Sequence, residues 1–421
     1  MRSAPAIANP ALRDLLPADL WHGVRRPPTV EELTALLREL THRHRERWTM
    51  TQAGRSRAGE PLHLVTVPGG PLRVLVVGGP HPHEHIGLAV LDGLGRLLSQ
   101  HPEASAHVSW YLMPCLDPDG ARLNTWTQQN GEPTLESYHR GFFRPARTDQ
   151  PEWALPQPGT AAQLPEAAAL AHVIDTVRPH VYLSLHGADT GGTFLLTSQA
   201  DPALVPLLHQ ASARYELPVE EHPSDALDWP SVGPGVFVLP PPDQFRSSGA
   251  SSVHYAHRRG ARYALMPEMP MWTSSPHDLP AARAAEHLEQ AVTFLTTITQ
   301  QFPLPPDSPF TPAVTDTLAI MDTMARSYRS HPHAGAGQDL AHLTPLRACG
   351  MLLRALDALP ERRNSPLTNV RLGALRQETE TRCDQWLQAA EEALRPSPLP
   401  LSRTAGFQLD TILSVTDLLV R

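Results

Sequence analysis

Three distant segments of this chain each run from an apolar, strand-like stretch into a residue that can hold or use a metal. Residues 72–77 lead into Gly78, Gly79, Pro80, His81, Pro82, His83 and Glu84; residues 180–185 lead into His186; and residues 261–267 lead into Glu268. A catalytic zinc commonly takes three protein ligands and keeps a fourth position for water. His81, Glu84 and His186 supply such a set, as a local pair from one turn and one remote partner. Two imidazoles and a carboxylate suit a single Zn2+ ion, with cobalt or manganese able to replace it. Zinc makes hydroxide available near neutral pH, and Glu268 is the candidate base that takes the proton and returns it to a leaving amine.

For these side chains to meet, the three runs must lie side by side. Side chains just past the carboxyl ends of parallel strands face a common crevice in an open α/β sheet. The expected fold is therefore α/β, with a mixed, largely parallel central sheet flanked by helices. Thr29 and Glu32 form a capping-box pattern ahead of Leu33, Leu36, Leu37 and Leu40, which predicts a helix to about residue 46. Strand 72–77, a helix over about 86–99 and strand 107–113 read as one α/β unit. A helix over 164–177 carries the chain to the strand before His186. Residues 120–160 are irregular, as loops that build the substrate side of a site often are. Residues 217–248 are Pro-rich and read as a surface loop beside the pocket.

The pattern GGxHxxE, a distant SerLeuHis and a strand ending in Glu268 resembles the zinc metallocarboxypeptidase family typified by the pancreatic digestive carboxypeptidases, as a divergent, bacterial-type member. Further matches are Gly54, Ser56 and Gly59 before Pro61 and Leu62, AspProAspGly at 117–120, LeuProGlu at 164–166, and the stretch from Gly249 to Glu268. The resemblance spans about residues 30 to 302. It implies a carboxypeptidase-like fold, one zinc held by His81, Glu84 and His186, and Glu268 as the base. Arg144 stands where the family grips a substrate carboxylate, but the family's neighbouring Asn is replaced by Phe143. Arg246 falls where the family has a mobile tyrosine, and Val253 falls at the side-chain specificity position, implying an uncharged pocket floor. Arg122 and Arg140 are both candidates for the arginine that polarises the scissile carbonyl.

Bland readings compete at each position. The His81 turn can be a polar loop, His186 a buried strand-end residue, and Glu268 one half of a structural ion pair. His83 and His85 read as lining or surface histidines, and HisProHis at 331–333, lacking a following Glu, reads as a solvated loop. A net charge of −8 without a basic tract argues against a nucleic-acid partner. Three dispersed cysteines fit neither a disulfide framework nor a cysteine zinc site, which points to a reduced, cytoplasmic setting. No window approaches a membrane span or an export signal, so no membrane partner is expected.

The expected organisation is an N-terminal helical extension over 1–48, a catalytic domain over 49–302, a linker over 303–312 and an all-helical domain over 313–421. Five prolines between Phe302 and Pro312 mark the linker. Leu- and Ala-rich stripes beyond it predict helices that pack together, on the catalytic domain, or in a homo-oligomer. Three functions follow: a carboxypeptidase acting on peptides, a related amidase acting on N-acyl amino acids, cell-wall peptides or side-chain-linked glutamate, and a non-catalytic metal-binding scaffold.

Overall fold

The computed structural model describes residues 11–420 apart from 18, 129–130, 163, 224–225, 227–228, 245–248, 275–278, 331–337 and 360–365. Nine strands form its main sheet: β1 (Thr49–Arg55), β2 (Pro61–Val67), β3 (Leu72–Val77), β4 (Val108–Met113), β5 (Val181–Ser184), β6 (Phe194–Thr197), β7 (Ser231–Gly233), β8 (Val236–Val238) and β9 (Tyr263–Glu268). Their spatial order is β1-β2-β4-β3-β5-β9-β6-β8-β7. The middle four, β4, β3, β5 and β9, are mutually parallel, and antiparallel pairs close onto them from both sides. Strands buried on both faces read as unbroken apolar runs. In β3, Val74 and Val76 point into one core while Leu75 and Val77 point into the other.

Among the described residues there are twelve α-helices: α1 (Val30–Arg43), α2 (Ile86–Gln100), α3 (Pro118–Leu123), α4 (Leu135–Arg140), α5 (Pro165–Val177), α6 (Leu204–Arg214), α7 (Ser252–Arg258), α8 (Ala281–Gln301), α9 (Phe310–Ser330), α10 (Gln338–Asp357), α11 (Pro366–Leu394) and α12 (Leu401–Val420). Helix α1 starts at the expected capping box, with Glu32 N–H donating to Thr29 Oγ1 and Thr29 N–H donating to Glu32. Helices α1, α2, α6 and α12 cover one face of the sheet, and α5 and α7 cover the other. A third core, formed by α8 to α11, takes in Trp126, Tyr138, Phe142 and Phe143 from the long loop after β4.

Two details depart from the sequence reading. The Pro-rich stretch 217–248 is more than a loop, because β7 and β8 within it extend the sheet edge. The last helix, expected to belong to one helical unit over 313–421, packs in the core beneath the sheet: Ala405, Phe407, Leu409, Ile412 and Leu413 are all buried there. Helix α8, conversely, joins the bundle. The helices α8 to α11 thus stand between β9 and a final helix that returns to the sheet. A short ladder, Trp272–Thr273 against Ser397–Pro398, joins the strands entering and leaving the bundle.

The bundle grips the loop that it covers. Arg354 of α10 donates to the carbonyls of Leu123, Gly141 and Phe142. A Cβ at Gly350 would stand 1.9 Å from the His139 carbonyl oxygen, so only glycine lets α10 approach α4 this closely.

Candidate metal centre

The carboxyl ends of β3, β5 and β9 are neighbours, and the three segments singled out by their chemistry converge there. The turn after β3 depends on its glycines. A Cβ on Gly78 would lie 2.6 Å from the Pro114 oxygen, and Gly79 has a φ of 54° with a Cβ position 2.7 Å from Cys115 Sγ. This turn brings His81 and Glu84 together, with Glu84 N–H donating to the His81 carbonyl.

The donor atoms of His81, Glu84 and His186 all lie within 4.8 Å of one another, and all three residues are buried. His81 Nδ1 is 2.8 Å from Glu84 Oε1, and His186 Nδ1 is 3.1 Å from Glu84 Oε2. Ligands about 2.0–2.1 Å from a tetrahedral zinc are about 3.3 Å apart, so the set fits that ion in both donor type and size. Glu268 stands outside the triad, its Oε1 3.8 Å from His186 Nδ1.

Charge around His186 points the same way. Burial alone would lower its pKa, but Glu84, Glu268 and the buried Glu152 push it up to about 9. Carboxylates this close, out of water, call for a cation. His81 goes the other way: burial, aided by Arg144, lowers it to about 3, which keeps the ring in the neutral form that a ligand needs. Glu84 lies well below the usual range: its burial is outweighed by His81 and His186.

Residues 33–226 match the family described as zinc carboxypeptidase. That segment of the chain is similar to the zinc carboxypeptidases. It is a zinc-dependent hydrolase of the metallopeptidase type. The match ends before Glu268, and β9 supplies that residue beside β5. Bovine thrombin-activatable fibrinolysis inhibitor, solved with a tick carboxypeptidase inhibitor, is 13% identical with a TM-score of 0.42, over 73% of this chain and 98% of that one. Carboxypeptidase A from Helicoverpa armigera is 15% identical with a TM-score of 0.41, over 78% and 80%. No curated protein matches the chain in sequence.

The carboxypeptidase motifs outside the triad serve as scaffolding. Asp119 accepts from Ser56 Oγ at 2.7 Å and from Ala58 N–H, while Glu166 accepts from Arg57. Asp117 caps α3 by accepting from Gly120 N–H. These bonds lash the β1–β2 turn to the loop after β4 and to α5.

The arginines divide. Arg144 is at the site, with Nη2 3.5 Å from His81 Nε2 and 3.3 Å from Gln150 Oε1. Arg122 is instead engaged by Glu31 and Glu60, and Arg140 by Glu136 and Asp384. Both guanidinium groups are taken up by partly exposed carboxylates rather than by a triad residue. Arg246 and the HisProHis at 331–333 lie outside the described residues. Val253 is fully buried on α7 within the core. His83 and His85 are buried too, not surface histidines; His83 packs on Phe142 with ring centroids 4.9 Å apart.

Several residues that support the site carry no sequence signal. Glu152, fully buried, accepts from Ser184 Oγ at 2.9 Å and from Ser252 Oγ, and burial raises its pKa. The next residue, Trp153, donates its Nε1–H to His81 Nε2 at 3.1 Å. Asp189 binds Arg347 of α10 at 2.6 Å and accepts from Tyr138 Oη at 3.0 Å. Gln408 of α12 donates to the His186 carbonyl. No helix among the described residues is long and apolar enough to cross a membrane.

Proposed function

We propose that this chain is an exopeptidase with one zinc ion per chain, releasing the C-terminal residue of a peptide. The observation that carries the reading is a complete donor triad with a second carboxylate, Glu268, at the end of the adjacent strand. His81, Glu84 and His186 would hold the zinc, which would supply polarisation of the scissile carbonyl and a more acidic water. Glu268 accepts that water's proton and hands it to the departing amine. Arg144, steadied by Gln150, offers a guanidinium beside the triad for the substrate's carboxylate or for charge developing on the carbonyl oxygen.

A specific observation favours a second reading. Phe143, which replaces the family's carboxylate-binding amide, turns its ring into the helical bundle, edge-to-face with Phe310 at 5.3 Å. The carboxylate grip therefore rests on Arg144 without that neighbour, and a related amidase acting on N-acyl amino acids, cell-wall peptides or side-chain-linked glutamate uses the same triad and base. Peptides with a free C-terminus, tested beside the same peptides amidated, separate the two. Strong preference for the free acid supports the carboxypeptidase; indifference supports the amidase. In either case Glu268→Gln retains zinc and loses about 10²- to 10⁴-fold in kcat. Full turnover by that variant defeats the assignment of the base.

A further inference from the structure

The ligand His186 and the base Glu268 both stand beyond the point where their strands hold each other. The parallel ladder between β5 and β9 stops at Leu183 opposite Leu265, short of either residue. The two segments rejoin only past the site, where Ala188 N–H donates to the Met269 carbonyl and the Ala188 carbonyl accepts from Met271 N–H, so His186 and Glu268 sit in a gap between two pairings. Gln408, from α12, lies where the ladder has ended. Its side chain is fully buried, and its Nε2 donates to the carbonyl of His186 and, at 2.9 Å, to the carbonyl of Pro267. An amide nitrogen carries two hydrogens, so one side chain ties the ligand's own backbone to the residue before the base.

The glutamine is costly for the helix that carries it. Its neighbours Ala405, Phe407, Leu409, Ile412 and Leu413 are apolar and buried, and they anchor α12 without help. A polar group in such a core is disfavoured unless it is bonded, and an apolar side chain would pack the helix as well. What the amide adds is the bridge between the two strand ends.

We propose that Gln408 is a positioning residue for the hydrolytic site, holding the backbones of His186 and Glu268 at a fixed separation from outside the crevice. The proposal rests on the roles given above to those two residues. A general base must come within hydrogen-bond reach of the proton it takes, and Glu268 Oε1 already lies 3.8 Å from His186 Nδ1. Slack between β5 and β9 therefore moves the base relative to the ion.

Gln408→Met tests this, keeping length and volume while removing both donors. The cobalt-substituted protein supplies a readout independent of turnover, because its visible spectrum follows ligand geometry. The expected result is an altered cobalt spectrum, zinc affinity down about tenfold and kcat down about 10- to 100-fold at unchanged KM. Ile412→Val, which loosens the same helix without touching either carbonyl, is the control and keeps wild-type kcat and spectrum. If the methionine variant does not fold, Gln408→Leu carries the test, since it also lacks the donors. A wild-type spectrum with wild-type kcat in a Gln408 variant overturns the proposal. Equal losses in Ile412→Val at matched Tm also overturn it. A wild-type chain that binds cobalt yet cleaves no amide sinks the hydrolase reading instead, and the spectrum still decides the role of Gln408.

Discussion

Replacing Arg347 by Met removes the full positive charge bonded to the buried carboxylate of Asp189. Asp189 has a side chain 3% exposed, and Arg347, 15% exposed, meets it at 2.6 Å. What remains is one neutral donor, Tyr138 Oη at 3.0 Å, and the His139 ring at 3.9 Å. Breaking a buried pair from one side costs about 3–5 kcal/mol, and losing the guanidinium from above the Phe142 ring, 5.3 Å away, adds about 0.5–1 kcal/mol. Urea unfolding at pH 7 is expected to show a loss of about 4 kcal/mol. Asp189→Asn in the Arg347→Met background removes the stranded charge, keeps an acceptor for Tyr138, and recovers at least half of the loss. Acidity gives a second check. Burial opposes ionisation of Asp189, but Arg347 and His139 hold its pKa below the usual value. Its contribution is therefore present above the unfolded pKa and lost only below it; without Arg347 burial raises the Asp189 pKa instead, so the variant regains stability by protonating and the penalty shrinks between pH 7 and pH 4. A single-variant cost under about 1 kcal/mol, typical of exposed pairs, or additive single and double variants, refutes the reasoning. Function is expected to fall as well: the Met271 and Trp272 N–H groups donate to the Asp189 carbonyl, joining the segments that follow His186 and Glu268.

Two other perturbations read the site and its scaffold. Asp117 is fully buried, and burial raises its pKa to about 6, so its ionisation costs stability as pH rises from about 4 through 6. Asp117→Asn keeps an oxygen for Gly120 N–H and is expected to stabilise the protein at pH 7 by up to about 3 kcal/mol, with no gain at pH 3.5; destabilisation at pH 7 contradicts this. Trp153 donates to His81 Nε2, which must itself carry a hydrogen once Nδ1 holds a metal. Zinc addition is therefore expected to move the indole and change tryptophan emission, and Trp153→Phe should abolish that change; an undiminished response in the variant disproves it.

What could be read from the chain follows from where each residue sits. Strands β3, β5 and β9 are buried on both faces, so they are apolar without interruption, and the polar residue that ends each run stands out. The convergence of His81, Glu84 and His186 was legible for that reason. Helices α1, α2 and α5 showed themselves by periodicity, to within a few residues of their observed ends, and Leu- and Ala-rich stripes marked the segments of α9 to α12 as helical. The arginines were not legible, because the long loop after β4 has no period, and its course is set by contacts such as Arg354 with three carbonyls and Arg140 with Asp384. Glu152 and Trp153 sit in a short turn with no pattern around them. Strands β7 and β8 are too short, and too rich in Pro and Gly nearby, to register as strands.

The partner of α12 was the least legible feature, for a general reason. Periodicity tells that a helix has an apolar stripe, but not which stripe will meet it. A proline-rich segment followed by several apolar helices reads as a separate unit, yet the sheet still needed cover on the face carrying Val74, Val76, Val181 and Leu183. Helix α2 covers part of that face, and α12 packs beside it. The chain must leave after β9, build α8 to α11 over the loop carrying Arg144, and come back. Deleting the bundle while keeping α12 would expose Trp126, Tyr138, Phe142 and Phe143; truncating at the linker would instead uncover the sheet and remove Gln408 from behind the ligand. The helical segment is thus tied to the site at two ends, through Arg347 and Arg354 above and through α12 below, which is why the hydrolase cannot be cut out at its apparent boundary.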